Sequence, residues 1–197
     1  MTCHCPQECC SDSKGLSLKN LPKGVVPVKN ALKNIPPQIA SRANEHINEM
    51  VSKTSGNKLF VHGKAGSGKS VAIGHLMMLL ASRGSSSQTT LHYYNMQSLD
   101  DKSLTELAEV ISRVNNDVKS DRGDVVLAVE NINVLFSYDY TNTQSVESNR
   151  RVVVDALRQM FKSTSKKLHV ILTSQRDVDN LAHILDTEKL SVIDMNE

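Results

Sequence analysis

The residues whose spacing carries the most chemistry are Gly63-Lys64-Ala65-Gly66-Ser67-Gly68-Lys69-Ser70, which fit the pattern G-x4-G-K-[ST]. Each position answers a demand of holding a nucleoside polyphosphate. Gly63, Gly66 and Gly68 allow the backbone to wrap tightly and turn its N–H groups inward. Ser70 opens a helix, whose N-terminal end carries partial positive charge. Lys69 brings a point charge to the β- and γ-phosphates, and the Ser70 hydroxyl is a ligand for Mg²⁺. The candidate nucleotide-binding set is Gly63, Lys64, Ala65, Gly66, Ser67, Gly68, Lys69, Ser70 and Val71. A chance Gly-rich turn would lack the flanks seen here, an apolar KLFVH before the motif and a helical pattern after it.

Chemistry on a bound triphosphate needs a second element: an apolar strand that ends in acid, to hold Mg²⁺ and to activate the attacking water. Val125–Val129 followed by Glu130-Asn131-Ile132-Asn133 is the good candidate. Glu130 then takes the metal slot, with Ser70 as the other Mg²⁺ ligand, and Asn131 takes the catalytic-base slot. Glutamate is one methylene longer than the usual aspartate, so the geometry must adjust. An asparagine cannot accept a proton at neutral pH and cannot be a general base. Slow or absent hydrolysis is the favoured reading. The alternative is that Asn131 merely starts a loop and another residue does the work. Further on, Thr173-Ser174-Gln175 ends an apolar run, and Ser174 or Thr173 can offer a hydroxyl to a γ-phosphate. Two small polar residues ending a strand explain the same letters equally well.

Elements to position these groups are legible around them. Strands are expected at Lys58–His62, Thr90–Asn95, Val125–Val129, Leu168–Thr173 and Leu190–Ile193. Between them fall helical patterns: Ser70–Arg83 closed by Gly84, a stripe from Leu104 to Val114, a stripe from Val152 to Phe161, and Val178–Leu185. Ser103 and Glu106 form the capping-box signature S-x-x-E. The alternation predicts an α/β fold with a mostly parallel sheet and helices on both faces. Upstream, Ile39, Ala43, Ile47, Met50 and Val51 recur at helical spacing, with Gly56 as a stop.

The chain of 197 residues suffices for one well-filled core and not for two ordinary domains. Its net charge of +2 gives no general electrostatic pull on nucleic acid, which sets that class of partner aside. The apolar run Val71 to Ala81, interrupted by Gly74 and His75, is too short to span a bilayer, so no transmembrane segment is expected. An apolar leader is lacking at the N-terminus, as is an Arg-rich presequence. Cys3, Cys5, Cys9 and Cys10 are the only cysteines, so no disulfide framework holds the body. Their spacing is not a standard zinc pairing, and a disordered Cys-rich tail is the favoured reading over a metal site or a lipidated end. With Pro22, Pro27, Pro36 and Pro37 breaking any helix, residues 1–37 read as tail and linker and 38–197 as the folded unit.

The order G-K-A-G-S-G-K-S, V-V-L-A-V-E-N-I-N, V-I-L-T-S-Q resembles the large subdomain of an AAA+ ATPase, a three-layer P-loop NTPase with a five-stranded, mostly parallel sheet. Within that group, from roughly Lys58 to Met195, it is most similar to the first, degenerate ATPase domain of peroxisome-biogenesis AAA proteins of the peroxin-one type. N-M-Q-S-L-D-D-K-S-L, L-F-S-Y-D-Y and T-S-Q-x4-N-L-A-H-I-L carry that similarity. The resemblance implies a hydrolysis-poor module that binds ATP and Mg²⁺. It implies a peroxin-six-type partner in a hetero-hexameric motor that recycles the matrix-protein import receptor. The implied place is the cytoplasm, peripheral to the peroxisomal membrane, and Ser174 becomes the γ-phosphate sensor. The sequence departs from the family in three places. Asp186-Thr187-Glu188-Lys189 offers only Lys189 where arginine fingers belong. Leu99-Asp100-Asp101-Lys102 lacks the aromatic residue of a pore loop. The chain stops at Glu197, so the helical lid is expected to be absent and the chain to be a fragment or short isoform. The alternatives are an active AAA+ ATPase of another pathway, with Glu130 as both ligand and base, and a mitochondrial-ribosome P-loop structural protein. The latter shares the A-V-acid-x-I-N strand end but would want a presequence and a longer C-terminal half.

Overall fold

Runs of β-branched and aliphatic residues become five strands: β1 (Lys58–His62), β2 (Thr90–Asn95), β3 (Val125–Glu130), β4 (Leu168–Ser174) and β5 (Ser191–Asp194). The computed structural model describes residues 56, 58–70, 72–74, 76–77, 89–120, 123–137, 143–176, 181–187 and 190–196. The sheet order is β2-β3-β4-β1-β5, and every neighbouring pair is parallel. The three inner strands are buried along their whole length, which is why KLFVH, VVLAVE and LHVILTS are so nearly continuous in apolar residues. The expected alternation is therefore correct, with a described sheet that is wholly rather than mostly parallel.

Helices cover both faces. On one face the helix that begins at Lys69 packs Ala72, Ile73, Leu76 and Met77 onto Leu59, Val61, Val126, Ala128 and Ile171. On the other, α1 (Asp101–Ser120) and α2 (Gln144–Lys162) bury Leu104, Leu107, Ile111, Val114, Val153, Leu157 and Phe161 against Phe60, Leu127, Val129, Val170 and Leu172. The two cores are separated by the sheet because successive strand residues point to opposite faces. A short α3 (Leu181–Ile184) completes the second layer through Leu181 and, just beyond it, Leu185. The structure is the three-layer α/β sandwich expected.

Several boundaries move. β3 runs one residue further, through Glu130, and β4 through Ser174, so both candidate site residues are the final residues of strands. β5 covers Ser191–Asp194 rather than Leu190–Ile193. The capping box at Ser103 is not the helix start. α1 begins at Asp101, inside the segment considered for a pore loop, and Asp100 Oδ1 accepts from the Ser103 N–H at 2.7 Å. Asp caps as well as Ser does, and its place at the head of the polar run Asp100-Asp101-Lys102-Ser103 left more than one capping residue to choose from. Hydrogen bonds from the Ser98 hydroxyl, and then from Ser103, hold the Asp100 carboxyl below the usual carboxylate range. Gly56, expected to stop a helix, lies against β4: a Cβ there would sit 2.3 Å from the Leu168 carbonyl oxygen and 2.5 Å from that of Ser165.

The cysteine-rich tail, the proline linker, the helical stripe Ile39–Val51, Val71, Arg83–Gly84, the start of the Val178 helix and Lys189 lie outside the described residues. Among the described residues, no helix is long and apolar enough to cross a membrane.

Candidate functional site

The carboxyl ends of parallel strands are where α/β sheets bind ligands, and every candidate described gathers there. The Gly63–Ser70 loop leaves β1 and turns directly into a helix at Lys69. Gly66 (φ 80°) and Gly68 (φ 92°) occupy backbone conformations that side chains disfavour. Gly63 is needed for a different reason: a Cβ there would come within 2.8 Å of Ser67 Oγ and 3.0 Å of Met195 Cβ. Two bonds brace the loop internally, Ser67 N–H to the Lys64 carbonyl (3.1 Å) and Ala72 N–H to the Gly68 carbonyl (2.9 Å).

Neighbouring strands fix the base of the loop. Gly63 N–H donates to the Ser174 carbonyl of β4 at 3.2 Å. Met195 N–H donates to the His62 carbonyl at 2.8 Å, and Lys64 N–H to Asn196 Oδ1 at 2.7 Å. Asn196 is held in turn by Asp194, whose carboxylate accepts from both its backbone N–H and its side-chain amide.

Lys69 is buried, and its ammonium donates to the carbonyls of Gly63 (2.7 Å) and Lys64 (2.8 Å). Burial lowers its pKa, and the negative charge of Glu130 partly offsets that. Glu130 is itself buried. Its Oε2 accepts from the Tyr93 hydroxyl at 2.8 Å, while its Oε1 is buried with no hydrogen-bond partner. An unpaired buried carboxylate oxygen is unfavourable unless a cation or a donor meets it. Glu130 and the Ser70 hydroxyl offer the hard oxygen donors that would suit Mg²⁺. The residues present thus fit the implied metal. Among the described residues, no group of three or more His, Cys, Asp or Glu is arranged to hold an ion.

Asn131 follows in the left-handed region (φ 57°, ψ 41°) and starts a 3-10 turn, Ile132–Val134. Asparagine tolerates that conformation. Its amide reaches sideways: Nδ2 donates to Asn95 Oδ1 of β2 at 2.8 Å, and Oδ1 accepts from Gln175 Nε2 at 3.4 Å. Asn131 is brought to the edge of the site as a bridge between the ends of β2 and β4. Ser174 is fully buried. Its hydroxyl lies 3.2 Å from Asn133 Oδ1, also contacts the Arg176 carbonyl, and accepts from the Arg176 N–H at 3.2 Å. Thr173 is buried one residue earlier.

Sequence reasoning missed Tyr93 and Arg176. Arg176 is exposed two residues beyond β4, on the same edge as the loop, and the letters T-S-Q-R carried that signal. Tyr93 gave none, because its bond to Glu130 depends on how β2 is registered on β3. A groove of about 450 Å³ between Phe136, Arg151, Val154 and Ile184 shares no residue with this edge.

The NACHT domain matches residues 57–197. The chain belongs to the NACHT family. No curated protein matches it. A NACHT domain is a nucleotide-binding P-loop NTPase domain related to the AAA+ proteins, so the fold and the expected relationship hold at that level. The NACHT match carries nothing specific to a peroxisomal protein.

Proposed function

We propose that this chain is an ATP-binding NACHT module in which Mg·ATP is held between the Gly63–Ser70 loop and Glu130 and is hydrolysed slowly. The observation that carries the proposal is the buried Glu130, whose Oε1 has no partner, at the same carboxyl end of the sheet as the loop that holds Lys69. Gly66 and Gly68 shape the loop, Lys69 supplies charge to the β- and γ-phosphates, and Ser70 with Glu130 would hold Mg²⁺. The metal, when bound, neutralises charge on the phosphates. The protein's own part is to orient the nucleotide and to exclude water around Glu130.

Slow turnover follows from what surrounds that carboxylate. The residue after Glu130 is an amide, and it is engaged with Asn95 and Gln175. It can hydrogen-bond water but cannot take its proton. Arg176 is exposed just beyond β4, at the same strand edge as Lys64 and Lys69. ATP is favoured over GTP because the sequence has no guanine-reading N-K-x-D motif. Such a module acts by the state of its bound nucleotide, which fits a switch better than a motor. The peroxisomal reading, with its peroxin-six-type partner, hetero-hexamer and membrane location, rests on the resemblance alone and forms no part of the proposal.

Titration of the purified chain with Mg·ATP tests the assignment. Lys69→Ala should weaken binding by about 2–3 kcal/mol, the scale of a lost charged hydrogen bond. Equal affinity for both proteins would refute the site. Turnover should be on the order of 10⁻⁴–10⁻³ s⁻¹, as in P-loop NTPases without an arginine finger. A rate near the enzyme median of about 10 s⁻¹ would instead make Glu130 both metal ligand and base.

A further inference from the structure

Two side-chain polar arrangements stand at the carboxyl edge of the sheet. One is the amide bridge through Asn131. The other joins Tyr93, on the edge strand β2, to Glu130 at the end of β3. Building on the nucleotide-binding reading above, we propose that Tyr93 is a positioning residue: its phenol anchors Glu130 through Oε2 so that Oε1 is presented to the divalent cation that accompanies the nucleotide.

The strand register sets the pair. Asn95 lies opposite Glu130 and Tyr93 lies opposite Ala128, so Tyr93 and Glu130 are diagonal neighbours on one face. An aromatic side chain is long enough to span such a diagonal. That face is the one covered by the P-loop helix, since Tyr93 and Ala128 both pack in the core that holds Ala72, Ile73 and Met77. The phenol thus approaches Glu130 from the sheet side, on the same face as the helix that carries Ser70.

Chemistry gives the anchor a purpose. A glutamate has one more rotatable bond than an aspartate, so a metal-binding glutamate loses more freedom unless something holds it. The 2.8 Å bond holds one oxygen and leaves the other buried without a partner. The division of labour is that of an outer residue that orients a ligand for a metal. A tyrosine that merely filled space would be replaced by phenylalanine without consequence.

That substitution is the test. The full chain is compared as parent, Tyr93→Phe, Glu130→Gln and the double variant. ATP affinity is measured in excess Mg²⁺ and again in EDTA, and the ratio of the two reports the metal's contribution. Tyr93→Phe should cut that ratio about 10-fold while leaving affinity in EDTA within about 2-fold of the parent, with a similar unfolding temperature. In the Glu130→Gln background it should have no further effect. An unchanged ratio in Tyr93→Phe overturns the proposal, as does an equal loss in Mg²⁺ and EDTA or an effect that adds to Glu130→Gln. A parent that binds ATP with a clear Mg²⁺ dependence keeps the nucleotide reading alive in each of those cases. A parent that binds no ATP removes that reading, and this one with it.

Discussion

Asn131 does two jobs in one residue, and neither is proton transfer. It accepts the left-handed backbone at φ 57°, and its amide ties Asn95 to Gln175. Asn131→Glu would place a longer, β-substituted chain in a conformation unfavourable by about 1–2 kcal/mol and would lose the amide bridge. The expected result is a lower unfolding temperature and at most a modest rise in ATP turnover, read in one steady-state assay and one melt. A large rate gain would show that a missing carboxylate was the sole obstacle. At the amino end of the inner strand β1, Lys58 is buried, its ammonium has no hydrogen-bond partner, and burial lowers its pKa to about 8. The unfolded lysine keeps its proton to about 10.5, so between the two values the unfolded form binds more protons and stability from this group rises with pH. Below pH 8 the full penalty applies. Lys58→Met should therefore stabilise the protein at pH 7 by about 1–3 kcal/mol, with the advantage shrinking towards pH 10 in paired denaturant titrations. At this scale Gly63–Ser70 was legible because its function lies in its own backbone. Tyr93 was not, because a cross-strand bond leaves no trace in one strand's letters.

Among the elements, α1 shows how a local rule can be right in kind and misplaced. Ser103 and Glu106 have the spacing of a capping box, yet the Asp100 carboxylate accepts the Ser103 N–H, and the Ser103 hydroxyl turns to Ser98 at 3.0 Å. Asp100→Ala should lower stability by about 1 kcal/mol, and Ser103→Ala by a few tenths only, in urea unfolding. The reverse ranking would restore the earlier helix start. α2 starts as caps ordinarily do, with Thr143 Oγ1 accepting from the Val146 N–H at 3.3 Å. The inner strands were found almost residue for residue because burial on both faces leaves continuous apolar runs. Their last residues were missed because Glu130 and Ser174 are polar, and the strand continues through them to reach the site. The helix that Gly56 was expected to stop lies outside the described residues, and what the structure adds is a packing role. The Gly56 hydrogen, facing the Leu168 and Ser165 carbonyls, is a requirement of packing. Gly56→Ala should destabilise by about 1–3 kcal/mol in the same assay.

For the molecule as a whole, a ligand that binds only the folded state stabilises it by mass action. At 100 times the dissociation constant, Mg·ATP should add about 2.7 kcal/mol. For a chain of this size that is a rise of roughly 5–10 °C in unfolding temperature. Lys69→Ala should abolish most of the rise, while its melt without nucleotide reports the loop's own bracing. Fold class was legible from alternation, whereas the order β2-β3-β4-β1-β5 was not. Nothing in the spacing of the runs tells which strand inserts between which. That order puts β1 between β4 and β5, so that the loop after it is surrounded by strand ends from late in the chain.

One consequence concerns time rather than geometry. The loop's first N–H groups are held by Ser174 and, across 132 positions of sequence, by Asn196. During synthesis the loop leaves the ribosome long before the residues that brace it. At about 5–20 residues per second that interval is roughly 7–26 s. The nascent chain would then carry its nucleotide-binding letters well before its nucleotide-binding shape, and the last edge strand to dock would decide when ATP can first be captured.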